Sequence, residues 1–352
     1  MSYITFQPSD HFNTKLYTGN DGANSITGVG FQPDWVWLKP RNYADHHRLI
    51  DAVRGQYTIY TNRNVAQDAN SSHFTSFDSD GFTLAGSDGG WNSSSYNYVS
   101  WNWKANGSGS ANTDGSVTST VSANTTAGIS IVKWTANLSS AVTVGHGLGT
   151  TPKVLIQKAI DQTSGWIVSG FGLDWSGYLP LESTGAFNND SNDTSGTGRF
   201  FSAGGTEPNS TIFSTNSSAL TGSATDVIAY CFAEKKGFSK FGSFTGNGNA
   251  DGTFIYTGFS PAFVLYKVSS TSSDWYLQDN KRLTYNVNNT RLEANNSDAE
   301  VTGAADSIDM LSNGFKLRHT SASFNASGGS YIYMAFAEHP LVSSNGIPAT
   351  AR

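Results

Sequence analysis

The sequence holds one cluster whose residue types suit acid-base chemistry, the pair His46-His47 followed by Asp51 and Arg54. A histidine acts as a general acid or base only when a positioned partner and a pocket accompany it. A later segment repeats the aspartate and the arginine, as Asp279 and Arg282, without a histidine pair. What persists is an Asp and an Arg three residues apart, which we interpret as a structural ion pair at a strand end.

Paired carboxylates at Asp78 and Asp80 resemble the start of a calcium loop, because such loops cluster oxygen ligands two residues apart. The matching segment 311–314 keeps the turn but has Leu and Asn at those places, so a turn is the better interpretation. No Gly-x-Ser-x-Gly elbow occurs, and the acidic pairs fall in predicted turns, whereas a glycosidase needs two convergent carboxylates. The sequence predicts no catalytic residue, no metal ligand, no cofactor and no enzyme activity.

The candidate ligand-binding residues are aromatic: Trp91, Tyr96 and Tyr98, in or beside the Gly/Ser/Asn-rich segment 87–96. An aromatic side chain on a loop can stack on a sugar or on a partner protein, while Asn and Ser supply hydrogen bonds. The alternative is that the tryptophan folds back onto its own domain, since large aromatic side chains are mostly buried.

The elements that must position these residues recur three times along the chain. A proline is followed six residues later by a lysine at the end of an apolar strand, giving Lys39, Lys158 and Lys267. We interpret each lysine as a strand-end residue that keeps its ammonium group in water. A turn that leads into a strand and then a closing strand follow in the same order, with the second copy the most divergent. The closing strands are residues 98–105, 227–234 and 331–338.

Alternation sorts the closing strand into two faces, because residues two apart share a side of a strand. Trp103, Phe232 and Phe336 fall on one face, which we predict to be the core of each unit. The opposite face is apolar in the second and third copies, which suggests contact between units.

Units of about a hundred residues with frequent turn signals and no helical periodicity are typical of antiparallel β-sandwiches. We therefore predict an all-β protein of three tandem, jelly-roll-like β-sandwich repeats. The predicted boundaries are 13–105 for repeat 1, 106–127 for a flexible Gly/Ser/Thr-rich linker, 128–236 for repeat 2, 237–339 for repeat 3 and 340–352 for a C-terminal tail.

Composition narrows the function classes. The net charge is −6 and no cluster of Lys and Arg is present, so nucleic-acid binding is not expected. The first residues lack the pattern of a secretory signal, and no stretch approaches eighteen apolar residues, so membrane insertion is not expected either. Cys231 is the single cysteine, which excludes an internal disulfide.

At the repeated segments the chain resembles an uncharacterised repeat family of marine bacteriophages and their relatives, whose members are labelled virion structural or tail-fibre proteins. The resemblance covers nearly the whole chain and transfers no site residue. The segments that carry it are 17–20, 30–39, 239–248, 311–318 and 331–338.

The resemblance implies a bacteriophage virion structural protein, located in the virion after assembly in the host cytoplasm. The leading expectation is a tail-fibre or receptor-binding component that recognises a host-surface polysaccharide and forms a homo-oligomer in the particle. The alternative is a capsid or tail decoration (cement) protein that binds other virion proteins, and a third possibility is a polysaccharide depolymerase. A receptor binder should expose aromatic loops, a cement protein apolar sheet faces, and a depolymerase a carboxylate pair in a groove.

Overall fold

The computed structural model describes an almost entirely β protein with antiparallel sheets. Short helical turns occur at Pro8–Asp10 and at α1 (Ala322–Asn325). None of the helices in the described residues has the length and hydropathy needed to cross a membrane. The described residues are 7–69, 72–136, 141–189, 207–216, 225–303 and 307–340, so the predicted C-terminal tail lies almost wholly outside them.

The first unit pairs a large sheet, in the order β1-β9-β3-β4-β5-β6, with a small sheet, in the order β2-β8-β7. The first, third and last strands are neighbours in the large sheet, while β3 to β6 follow one another as a meander. The strands are β1 (Phe12–Thr18), β2 (Asn24–Thr27), β3 (Trp35–Pro40), β4 (Arg48–Asp51), β5 (Tyr57–Tyr60), β6 (Asp68–Ala69), β7 (Phe74–Asp78), β8 (Gly81–Leu84) and β9 (Asn97–Trp103).

The second unit has a large sheet β10-β11-β12-β19-β14-β15 and the two-stranded sheets β13-β18 and β16-β17. Its first two strands lie within residues 106–127, so the prediction of a flexible linker there is wrong. The Ser/Thr-rich sequence that suggested a linker supplies the edge of the sheet instead. The strands are β10 (Ser110–Asn112), β11 (Ser119–Asn124), β12 (Ile129–Ala136), β13 (Ala141–Gly145), β14 (Val154–Ala159), β15 (Trp166–Gly170), β16 (Gly177–Tyr178), β17 (Asn188–Asn189), β18 (Ile212–Asn216) and β19 (Thr225–Phe232).

The third unit has a large sheet β20-β27-β22-β23-β24 and a small sheet β21-β26-β25. Only a short turn separates it from the second unit. The strands are β20 (Ser239–Thr245), β21 (Phe254–Tyr256), β22 (Phe259–Val268), β23 (Tyr276–Asp279), β24 (Leu292–Glu293), β25 (Ile308–Leu311), β26 (Gly314–Leu317) and β27 (Ser330–Pro340).

The strand register reproduces the alignment read from the sequence. Each unit has a proline followed six residues later by the aligned lysine. The residue two places after that proline lies opposite the closing aromatic, which is Trp103, Phe232 or Phe336. The pairs are Trp35 with Trp103, Val154 with Phe232, and Phe263 with Phe336.

The three large sheets turn one face toward each other and build a single central core. Phe336 of the third unit lies with its ring centroid 5.5 Å from that of Trp103 and 6.0 Å from that of Phe232. All three side chains are almost completely buried, as predicted. The prediction that they form the core of each separate sandwich is wrong, because they belong to one apolar cluster shared by the three units.

The opposite face of each large sheet packs on its own small sheet, where contact between units had been predicted. In the second unit this interior contains Val227, Ala229 and Cys231. In the third it contains Tyr333 and Ala335. The two faces of the closing strand therefore exchange the roles that alternation alone had assigned to them.

Hydrogen bonds close the three units into a ring. Trp166 of the second unit donates from Nε1 to the Tyr60 carbonyl of the first, at 2.8 Å. Trp275 of the third unit donates in the same way to Pro180 of the second, at 2.8 Å. Thr61 of the first unit donates to the Ala294 carbonyl of the third, at 2.6 Å. Each unit thus contacts both of the others.

Candidate ligand-binding surface

The Asp and Arg pairs are buried ion pairs that join units. Arg54 Nε lies 2.6 Å from Asp51 Oδ2, and that carboxylate also accepts a hydrogen bond from the Tyr230 hydroxyl of the second unit, at 2.7 Å. In the third unit Arg282 Nε lies 2.5 Å from Asp279 Oδ2, which accepts a hydrogen bond from Trp101 Nε1 of the first unit. These carboxylates have no access to a substrate, and their role is to hold the ring together.

The histidine pair is not arranged for proton transfer to a ligand. His47 is fully buried, and its Nδ1 accepts a hydrogen bond from Trp37 Nε1 at 2.9 Å. Burial, with the positive charge of Lys39 as a second cause, holds the pKa of His47 well below its usual range. His46 is partly exposed and its Nδ1 lies 2.9 Å from the Asn62 side-chain amide.

The three aligned lysines are fully buried, so the expectation that they keep their ammonium groups in water is wrong. Backbone carbonyls replace water as acceptors: Lys39 Nζ donates to Pro40 at 2.9 Å, and Lys267 Nζ donates to Thr184 of the second unit at 3.0 Å. Burial lowers the pKa of Lys39 to about 7 and those of Lys158 and Lys267 to about 8. Lys158 and Lys267 also lie 5.7 Å from the rings of Trp166 and Trp275.

Two of the three predicted ligand-binding aromatics are buried. Trp91 is 2% exposed and Tyr98 is not exposed, and both lie in the interior of the first sandwich. The Tyr98 hydroxyl donates to the Gly89 carbonyl and accepts from the Ser93 amide, so it fixes the loop that carries Trp91. The interpretation of these two side chains as exposed stacking platforms is therefore wrong, since neither has a free ring face.

The third unit repeats this anchor, which explains the burial. Phe324 precedes Asn325 as Trp91 precedes Asn92, and both rings are buried. Six residues after each asparagine a tyrosine hydroxyl binds the loop backbone, Tyr98 in one case and Tyr331 in the other. The equal spacing was readable in the sequence and identifies the tryptophan as a core residue.

Tyr96 remains partly exposed and stacks on Tyr43, with ring centroids 4.3 Å apart and planes 12° apart. Tyr43 is 38% exposed. Each ring covers one face of the other. A ligand could therefore stack on one face of each ring at most.

The candidate calcium segment is a hairpin turn with its carboxylates engaged. Asp80 accepts hydrogen bonds from the amides of Gly28 and Gly30, at 2.9 and 2.6 Å. Asp78 accepts from the hydroxyls of Ser76 and Thr83. Within the part of the chain that the structure describes, no three His, Cys, Asp or Glu side chains are grouped as metal ligands would be.

The most exposed aromatic surface on a strand belongs to the small sheet of the third unit. Phe254 and Tyr256 alternate with buried Ile255 on β21 and point outward, with exposures of 43% and 55%. Among the described strands, β21 pairs with β26 alone, at the edge of the sheet. We call the outward side of β21, β26 and β25 the outer aromatic face.

The first unit offers an internal comparison for this face. Ile26 pairs with Phe82 as Ile255 pairs with Phe315, so Ser25 and Thr27 occupy the places of Phe254 and Tyr256. The Ser25 hydroxyl lies 3.1 Å from that of Thr83, in an ordinary polar ladder. One fold therefore carries a polar outer sheet in the first unit and an aromatic one in the third, so the fold does not require the aromatics.

The outer aromatic face continues at the other edge of the small sheet. Asn288 bridges to Ile308 of β25, and the Asn286 side chain exchanges hydrogen bonds with the Met310 backbone. Beside these residues Tyr285 and Val287 are 66% and 40% exposed.

An open groove of about 410 Å³ begins at Tyr256 and runs between the edges of the two sheets. Glycine backbone, two hydroxyl side chains, charged side chains and Tyr256 line it. One carboxylate oxygen of Glu234 accepts a hydrogen bond from the Phe241 amide at 3.0 Å. The other oxygen lies 3.5 Å from Lys240 Nζ. The lining residues are Glu234, Lys236, Gly237, Ser239, Lys240, Tyr256, Thr257 and Gly258.

Sequence reasoning missed this groove, although a signal was present. Strand β21 reads Phe-Ile-Tyr where the aligned strand of the first unit reads Ser-Ile-Thr. Three consecutive apolar residues on a half-buried edge strand break the alternation that solvent on one side normally requires. That departure between copies marks the position where the outer surface changes from polar to aromatic.

Comparison with known proteins gives one match. The model of a family described as a domain of unknown function (DUF7483) matches residues 7–340. The matched range spans all three units. No curated protein and no solved structure matches the chain.

Proposed function

We propose that the chain, which belongs to the DUF7483 family of unknown function, is a bacteriophage virion structural protein that binds a host-surface glycan without cleaving it. In this proposal it is a tail-fibre or receptor-binding component of the particle. The virion assignment is supported by the sequence resemblance described above. The glycan assignment is supported by the groove at Tyr256.

The observation that carries the glycan proposal is the exposed ring of Tyr256 at the rim of a polar groove. A flat aromatic face packs on the C–H face of a sugar ring, while sugar hydroxyls need hydrogen-bonding partners close by. The groove supplies such partners from Glu234 and Lys240. Its open shape suits one end or one edge of a polysaccharide chain.

The absence of chemistry is proposed from the groove's composition. Of the described residues that line it, Glu234 alone carries a carboxylate. Hydrolysis of a glycosidic bond uses two carboxyl groups on either side of the scissile bond. Weak binding at single sites suffices when a particle displays several copies, because linked sites combine through effective concentration.

The test is adsorption of the purified chain to host cells and to their isolated surface polysaccharide. Tyr256→Ala should weaken adsorption at least about tenfold, the loss expected when about 1.4 kcal/mol of stacking is removed. Tyr57→Ala is the matched control, since Tyr57 is 43% exposed but lies in the first unit. Equal adsorption by both variants, or release of oligosaccharides by the chain, would contradict the proposal.

A cement protein is the second candidate, favoured by the extent of the outer aromatic face beyond the groove. Phe254, Tyr285 and Val287 expose apolar area that a sugar in the groove would not cover. Paired substitutions Phe254→Ser and Val287→Ser should then reduce incorporation into particles and leave polysaccharide adsorption unchanged. A particle reconstruction in which this face contacts no other virion protein would exclude the cement role.

A further inference from the structure

The groove of the third unit differs from the equivalent places of the other two units in charge as well as in aromatic content. Lys240 pairs with Ala335, the residue before Phe336. The equivalent residue of the first unit is Asn13, which pairs with the residue before Trp103. Four residues earlier, Lys236 corresponds to Ser9 by the same alignment. Tyr256 corresponds to Thr27.

The second unit gives the same result. Its register places Ser130 at the position of Lys240 and, three residues before Ile129, Thr126 at the position of Lys236. Val144 pairs with Phe213 as Ile255 pairs with Phe315. The next residue, Gly145, therefore takes the place of Tyr256. The aromatic ring and both lysines are therefore present together in the third unit and are replaced together in the other two.

The charge in the groove is positive, although the chain as a whole carries −6. Two lysines line it against one glutamate, which leaves one positive charge in excess. Glu234 is already engaged by the Phe241 amide and faces Lys240. Lys236 is exposed at the rim. An approaching anion would meet two lysine side chains in the groove that Tyr256 also lines.

We propose that the groove selects an acidic glycan, in which a sugar ring stacks on Tyr256 and a carboxylate on that ring or its neighbour binds Lys236 and Lys240. This inference rests on the proposed glycan-binding function and specifies the ligand class. Ammonium groups bind carboxylates through charge-assisted hydrogen bonds, which are about twice as strong as neutral ones. A neutral glycan has no carboxylate with which to form these bonds.

The test uses the full chain and an array of glycans in which each acidic member is paired with its carboxyl-reduced, neutral form. Binding should fall about tenfold or more from the acidic to the neutral form, and should weaken as salt rises from 0.05 to 0.5 M, two concentrations chosen to bracket physiological screening. Lys240→Gln should remove most of this preference. Lys153→Gln, which removes an exposed lysine of the second unit outside the groove, should leave it intact.

The outcomes separate the two proposals. Equal binding of acidic and neutral forms that Tyr256→Ala abolishes would overturn the acidic preference and keep glycan binding. Binding to no member, together with no adsorption to host cells, would overturn both. An acidic preference that survives Lys236→Gln and Lys240→Gln combined would place the selectivity elsewhere and overturn this site.

Discussion

Replacing Phe336 with alanine tests whether the three units share one core. The Phe336 ring has neighbours from every unit: its centroid lies 5.3 Å from that of Phe12, 6.0 Å from that of Phe232 and 5.7 Å from that of Phe241. It is 1% exposed. Truncation leaves a cavity at the point where the sheets meet.

The expected loss is about 3–5 kcal/mol, as for other fully buried phenylalanines. We place Phe336→Ala toward the upper end, because rings on three separate sheets cannot all move inward to fill the space. Native domains are stable by roughly 5–15 kcal/mol, so the expected loss is a large part of the free energy of unfolding. Phe254→Ala is the control, because the same truncation at a 43% exposed site should change stability far less.

Tryptophan fluorescence makes the assay specific for coupling between units. Of the nine tryptophans, Trp275 alone lies in the third unit. Urea unfolding followed by fluorescence therefore reports mainly on the first two units, although the substitution is in the third. A shared core predicts that the fluorescence midpoint falls together with the midpoint followed by circular dichroism. An unchanged fluorescence midpoint would show that the sandwiches unfold independently and would refute the reasoning.

Two further predictions concern buried charge. Asp51→Asn should destabilise the protein by about 3–5 kcal/mol, because it leaves the Arg54 guanidinium buried without its carboxylate. Asp279→Asn should cost less, since Glu300 still lies 3.1 Å from Arg282; equal losses in urea unfolding would contradict this ranking. The folded-state pKa values of Lys39, Lys158 and Lys267, about 7 to 8, lie below the unfolded value of about 10.4. The unfolded chain therefore binds more protons in this window, so stability should rise from pH 7 to pH 9. Lys39→Met should flatten that rise in urea midpoints, and an unchanged slope would show that the lysine is not the titrating group.

The equivalence of Trp103, Phe232 and Phe336 could be predicted from the sequence because it depends on local anchors. The proline and the lysine are six residues apart in each copy, and the residue two places after that proline lies opposite the closing aromatic in each unit. Which face of the closing strand meets which partner could not be predicted. Period-two alternation groups Trp103 with Trp101 and Val99 but does not say which neighbour covers them, and here both faces are covered.

The lysines show a second limit of sequence reasoning. A lysine that ends an apolar strand normally reaches water. Lys267 instead reaches a carbonyl of the second unit, at Thr184, a residue 83 positions away. An acceptor that distant in the chain leaves no local pattern. The groove was missed for a different reason, since Tyr256 stands out only when the three strands are aligned and their outer residues compared.

The ring of units explains why the outer sheets have been free to change. Two joints of the ring use a buried carboxylate, Asp51 with Tyr230 and Asp279 with Trp101. At the third joint the aligned residues are Gly170 and Met334, so neither the carboxylate nor its polar partner is present there. Each inner face must therefore fit two neighbours, and a change on one unit requires a change on another. The small sheets lie outside this constraint. Aromatic and basic residues could accumulate on the third unit without disturbing the ring, which then holds the groove at a fixed position relative to the other two units.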